Sequence, residues 1–173
     1  MKNILTDLKT NHNVVFLCRN TDPLKFTSEL LKSVPKKSKI LYVSVNKPCK
    51  ILIEKLKKDD IDFSNWSFID CISSSMLIAE TPSKQCVHLS SPKAIVDLSL
   101  AIDDRMAKSN LIIFDSVSSL LSYNDYVPVL QFLNTLMANV RKTKTKVAYL
   151  LSYDAKKEVM EDLALFADKV AII

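Results

Sequence analysis

No glycine occurs anywhere in these 173 residues. At the usual frequency of about 7%, roughly a dozen would be present. Glycine supplies positive φ and lets backbone approach a ligand closely. A Walker A loop and a Rossmann fingerprint both depend on it, so the commonest phosphate cradles are excluded in their standard form. Arginine is nearly as scarce: Arg19, Arg105 and Arg141 are the only three among 24 basic residues. Nucleic-acid readers rely on arginine-rich patches with interleaved aromatics, so nucleic acid is not expected as a partner. The four cysteines, Cys18, Cys49, Cys71 and Cys86, form no CxxC pair, and His12 and His88 are the only histidines. A zinc site is therefore not expected, and reduced, buried thiols fit a cytosolic protein. No apolar run approaches the roughly 18 residues that span a bilayer. Residues 1–9 lack the apolar centre of a signal peptide. A cytoplasmic location without a membrane span is expected.

What is present is ordinary in bulk and ordered in pattern. The net charge is +5, with 48% hydrophobic and 25% charged residues, as in soluble globular chains. The length suits one domain over residues 1–173. Short apolar runs at Val14–Cys18, Ile40–Val45, Trp66–Cys71, Leu111–Asp115, Val147–Ser152 and Lys169–Ile173 read as strands, with a further short strand at Val87–Leu89. Between them lie helix patterns. Asp22-Pro23 and Ser91-Pro92 are N-cap and first-turn pairs. Asn46-Lys47-Pro48 opens a lysine-faced helix to Lys58. Asp125 and Pro128 begin a long helix carrying Val129, Leu133, Leu136 and Val140 on one face. Residues 72–86 are serine-rich and loop-like. Strands alternating with helices predict an α/β fold: a three-layer sandwich whose mostly parallel sheet is covered by helices on both faces.

The stretch Leu111–Leu121, LIIFDSVSSLL, organises this reading. An apolar run that stops at Asp115 resembles a buried parallel strand. Its carboxylate would sit at the carboxyl edge of the sheet, where open α/β folds keep ligand sites. The alternative is an Asp that caps the next turn. Ser116, Ser118 and Ser119 do not make a serine nucleophile, because no G-x-S-x-G elbow surrounds them.

Six stretches resemble the RecA/KaiC-type ATPase core, archaeal KaiC-like proteins in particular. They are LYVSVNKP at 41–48, FIDCIS at 68–73, SSPKAIVDLSLAI at 90–102, NLIIFDSVSSLL at 110–121, VLQFLNTLMANVRKTKTKVAYLLS at 129–152 and LALFADKVAII at 163–173. The resemblance implies a RecA-like, P-loop NTPase sheet. In that sheet the Lys169 strand would lie beside the Val14 strand, followed by the Val147, Leu111 and Ile40 strands, with the Trp66 strand at the far edge. It also places Asp115 at the Walker B position, where active relatives hold magnesium.

The departures from that family decide the functional expectation. The phosphate loop should read G-x-x-x-x-G-K-[ST], but Cys18–Thr27 reads CRNTDPLKFT. Matching Lys25 to the phosphate lysine leaves Phe26 in place of the magnesium hydroxyl. Shifting by one residue puts Leu24 at the lysine position. The family's general-base glutamate is replaced by Asn46-Lys47. Losses of this kind cost about a hundredfold each or more. No Lys-x-Arg pair follows Ser152, so ring assembly is not expected.

The resulting expectation is a degenerate pseudo-ATPase without catalytic residues, acting as a regulatory, protein-binding module. An active KaiC-like paralogue is the candidate partner, docked through sheet-end loops such as 72–86. No resident cofactor is expected. Arg19, Lys25, Thr27 and Asp115 form the vestigial nucleotide site, with Asp115 its metal ligand, should residual ATP and magnesium bind. The alternatives are a weak ATPase with a non-standard phosphate loop around Lys25, and a DNA recombination or repair accessory using Lys142, Lys144 and Lys146.

Overall fold

The computed structural model describes residues 2–18, 23–77, 84–152 and 157–173. In chain order the elements are α1 (Lys2–Thr10), β1 (Asn13–Cys18), α2 (Pro23–Ser33), β2 (Ile40–Ser44), α3 (Cys49–Lys58), β3 (Ser67–Asp70), β4 (Cys86–His88), α4 (Ile95–Met106), β5 (Leu111–Asp115), α5 (Val117–Tyr123), α6 (Tyr126–Val140), β6 (Lys146–Ser152), α7 (Lys157–Phe166) and β7 (Lys169–Ile172). The strands form one seven-stranded sheet in the order β4-β3-β2-β5-β6-β1-β7, and every pairing is parallel.

Crossover handedness divides the helices between the two faces. Moving from β1 to β2, and from β2 to β3, the chain steps towards the β4 edge. From β4 onward it steps back towards β7. Right-handed crossovers taken in opposite directions must lie on opposite faces. Two cores follow. Ile4, Leu8, Phe26, Leu30, Leu52 and Leu56, from α1 to α3, pack on Phe16, Tyr42, Phe68 and Ile113. Leu98, Ile102, Val117, Leu133, Met137 and Leu163, from α4 to α7, pack on Val15, Val43, Phe114 and Tyr149. Alternate residues of each strand serve alternate cores, as a period of two requires. The fully buried strands need no polar face, which is why β1, β2 and β5 read as continuous apolar runs.

The long helix expected from its spacing is α6. Val129, Leu133, Leu136 and Val140 are all buried, joined by Phe132 and Met137. Each such side chain contributes about 1.5–3 kcal/mol of burial free energy, so tertiary packing outweighs the local propensity of the helix.

Several boundaries differ from expectation. The Trp66 strand is not the far edge, because β4 pairs beyond it through Phe68↔Cys86, Ile69↔Val87 and Asp70↔His88. The short strand read at Val87–Leu89 forms one residue earlier, as Cys86–His88, and its place beyond β3 is what the family strand order left out. Ser91-Pro92 does not open α4. Ala94 N–H donates to Ser91 O, closing a turn first, and the helix starts at Ile95. Helix α5 was not anticipated, since its seven serine-rich residues are too short for a helical period. Asp22 and Arg19 lie outside the described residues.

With no glycine, left-handed backbone falls on other residues. Among the described residues Asp60 and Leu77 both have φ 53°. Aspartate tolerates that region, whereas leucine there costs about 1–2 kcal/mol.

Candidate functional site

The crevice between β2 and β5 is where the topology changes direction. The chain leaves β2 towards α3 on one face and leaves β5 towards α5 on the other. In open α/β sheets such a point, at the carboxyl ends of the strands, is the usual ligand site. Ser44 is in register with Asp115 on one side and with Asp70 on the other. Matched positions in a parallel sheet share a face, so these three polar residues form one row along the carboxyl edge.

Asp115 is buried, at 5% exposure. Its Oδ2 accepts a hydrogen bond from the Tyr42 hydroxyl at 2.5 Å and pairs with Lys47 Nζ at 3.0 Å. Tyr42 stands one alternation before Ser44, so its ring lies under the same face and its hydroxyl reaches the carboxylate. Burial, then the charge of Asp115, then the hydrogen bond to it push the Tyr42 hydroxyl well above its ordinary pKa, which keeps it a donor. Lys47 is placed by a tight turn after β2. Ser44 Oγ donates to Lys47 O at 2.7 Å and accepts from Lys47 N–H at 3.3 Å, while Val45 N–H donates to Asp115 O at 2.8 Å. Asn46 Nδ2 donates to Ser119 Oγ at 3.0 Å, closing the mouth of the crevice from the same turn.

The serines have structural work. Ser116 caps α5 by accepting from Ser119 N–H, and Ser118 Oγ accepts from Ser152 N–H at 2.9 Å. The peptide between Asp115 and Ser116 is cis.

The sequence-derived site residues are spread across this edge. Arg19 lies outside the described residues. Lys25 is exposed and Thr27 buried, both in the early part of α2, which follows β1. β1 is separated from the Asp115 strand by β6, a lateral offset of about 10 Å at the spacing of neighbouring strands. The partners of the Asp115 carboxylate are instead Tyr42 and Lys47. Asn46 and Lys47 were expected to open α3, but Pro48 is its N-cap and both residues reach across to β5 and α5. The signal for them was a lysine three residues beyond a buried strand and a tyrosine inside it. Neither is decisive without the neighbour strand.

The donor set does not fit a magnesium–nucleotide centre. The carboxylate that would carry the metal already holds an ammonium and a hydroxyl donor on one oxygen. Magnesium demands near-octahedral oxygen ligands, and a lysine at 3.0 Å opposes a second cation.

No protein-family model and no curated protein matches the sequence. Solved structures do match in fold. The KaiC-like protein PH0186 of Pyrococcus horikoshii superposes with a TM-score of 0.62 at 12% identity, covering 94% of this chain and 71% of that one. The flagellar accessory protein FlaH of Methanocaldococcus jannaschii gives 0.59 at 10% identity, with the same coverage. The chain therefore has the RecA/KaiC-like α/β fold. Among the described residues, no helix is long and apolar enough to cross a membrane.

Proposed function

We propose that this protein is a non-hydrolysing member of the RecA/KaiC-like architecture that works by binding a protein partner. The observation that carries the reading is the Lys47–Asp115 ion pair, completed by Tyr42, in the crevice where a nucleotide's metal would sit. A built-in ammonium neutralises the carboxylate and removes the need for magnesium. The glycine-free loop after β1 supports the same reading from the sequence.

Support for a docking role comes from the loop after β3. Met76 and Leu77 are 57% and 92% exposed, and Leu77 holds a left-handed conformation that nothing in its own burial repays. Apolar side chains presented at a sheet end suit a protein surface better than water. An intact KaiC-like paralogue is the partner we favour. One fold neighbour is by name an accessory protein, a precedent for that kind of role on this architecture. Lys142, Lys144 and Lys146 lie at the opposite, amino-terminal rim of the sheet, around the start of β6, which gives them no part in this crevice.

The test is titration with a fluorescent ATP analogue in the presence of magnesium. No binding in the micromolar range is expected. Micromolar binding that disappears in both Lys25→Ala and Asp115→Ala would refute the reading in favour of a nucleotide-binding protein with a non-standard phosphate loop.

A further inference from the structure

The polar row at the carboxyl edge continues past Asp70 to the end of the sheet. Asp70 closes β3 and His88 closes β4, in matched register. Cys86 precedes His88 by two residues, so strand alternation puts both side chains on one face beside Asp70. One ligand atom from each of the three residues lies within 4.8 Å of the other two. Asp70 and Cys86 are buried, and the His88 side chain keeps 19% exposure.

The Asp70 carboxylate is rigidly held. Its Oδ1 accepts from the N–H groups of Ile72 and Ser73, each at 2.9 Å. Its Oδ2 accepts from Cys49 N–H and from the Ser73 hydroxyl, each at 2.6 Å. A metal ion here would take the Oδ2 lone pair that the Ser73 hydroxyl now fills, and the three backbone N–H donors would keep the carboxylate oriented as a ligand. His88 Nδ1 stands 3.6 Å from Asp70 Oδ2. That separation exceeds the roughly 2.7–3.2 Å of an N–H···O hydrogen bond. It matches the edge between two ligands of a tetrahedral ion, about 3.3–3.8 Å for bonds of about 2.0–2.3 Å.

We propose that Asp70, Cys86 and His88 form a binding site for a divalent transition cation of the zinc class. A thiolate, an imidazole and a carboxylate are the donor types zinc accepts, whereas magnesium takes oxygen alone. Closing the three ligand atoms onto one ion requires shifts of only about 1 Å from the 4.8 Å envelope. Three protein ligands leave a fourth vertex for water, reached from the exposed side of His88. Binding transfers the Cys86 thiol proton to solvent, so affinity rises with pH. The ion would tie the three-residue edge strand β4 to β3. This inference stands apart from the Lys47–Asp115 crevice and does not depend on how that crevice is read.

Cobalt(II) titration of the reduced full-length chain tests it. One equivalent per chain is expected, with a thiolate-to-cobalt charge-transfer band that zinc(II) bleaches. Cys86→Ala removes the band with the far-UV circular dichroism intact. His88→Ala weakens binding by at least the roughly tenfold that loss of even an outer-shell partner causes. No band in the wild type, or a band that survives Cys86→Ala, overturns the proposal. Should Cys86→Ala fail to fold, the partly exposed His88→Ala decides: unchanged cobalt affinity overturns the site, and weakened affinity supports it.

Discussion

Removing the Lys47 ammonium by Lys47→Ala isolates the feature on which the functional proposal rests. Asp115, only 5% exposed in the intact protein, then keeps the Tyr42 hydroxyl as a side-chain partner. Breaking a fully buried ion pair costs about 3–5 kcal/mol, and an exposed pair contributes about 0–1. Lys47 lies between these limits, with 27% of its side chain exposed against 7% for Asp115. A loss of about 1–2 kcal/mol follows. For a chain of this size each kcal/mol moves Tm by about 2–4 °C, so a drop of roughly 2–8 °C is expected by thermal circular dichroism.

Two controls separate this mechanism from general damage. In a double-mutant cycle with Asp115→Asn, the two substitutions should couple by about 1 kcal/mol or more, well outside the additivity seen for independent sites. Magnesium should leave the wild-type Tm unchanged and recover part of the Lys47→Ala loss, because the uncovered carboxylate regains a cation. The reasoning fails if magnesium–ATP stabilises the wild type as a bound ligand does, by about 2.7 kcal/mol at a hundred times Kd. It fails equally if Lys47→Ala costs nothing.

Other consequences are open to measurement. Asp168 accepts from His12 and Asn13 N–H at 2.9 and 2.8 Å and pairs with Arg141 at 2.8 Å. Burial pushes its carboxyl up, but the Arg141 guanidinium and these two N–H groups outweigh it, so the folded pKa is lowered. A lowered carboxyl stabilises the fold above its unfolded value of about 3.9 and loses that contribution as pH falls through the folded one. Urea midpoints across this acid range should fall less steeply in Asp168→Asn than in the wild type, and parallel limbs would contradict the assignment. Burial, then the charge of Asp70, raise the Cys71 thiol to about 12, and all four cysteines are buried. A thiol-specific chromogenic reagent should therefore react slowly until the chain is unfolded, and a fast native phase would argue otherwise. Leu77→Gly relieves about 1–2 kcal/mol of left-handed strain against an entropic loss of about 0.4–1 kcal/mol. A net gain of between zero and about 1.6 kcal/mol in chemical denaturation is expected, and destabilisation would show that the Leu77 side chain makes a contact that matters. In α6, Leu133→Ala should cost about 2–5 kcal/mol, whereas Leu100→Ser, at 63% exposure on α4, should stay within about 0.5 kcal/mol. Equal effects would mean that the α4 surface is covered in solution.

The alternation of apolar runs and helical faces determined the architecture by itself. Strands buried on both faces leave continuous Val, Ile, Leu and Phe runs, and Val14–Cys18, Ile40–Ser44 and Leu111–Asp115 carry that mark. The missing glycine determined that no standard phosphate loop exists, because backbone conformation at such a loop is a local property. The reach of Lys47 across to Asp115 was decided only by the tertiary structure. That contact joins the turn after β2 to the end of β5, which the sequence separates by the whole of α3, β3, β4 and α4. The gathering of Asp70 with Cys86 and His88 belongs to the same class: spacing along the chain hid it, and one ladder of three residue pairs created it. Local pattern fixes which elements form, but the chemistry at the sheet edge depends on which strand ends become neighbours, and only the assembled sheet settles that.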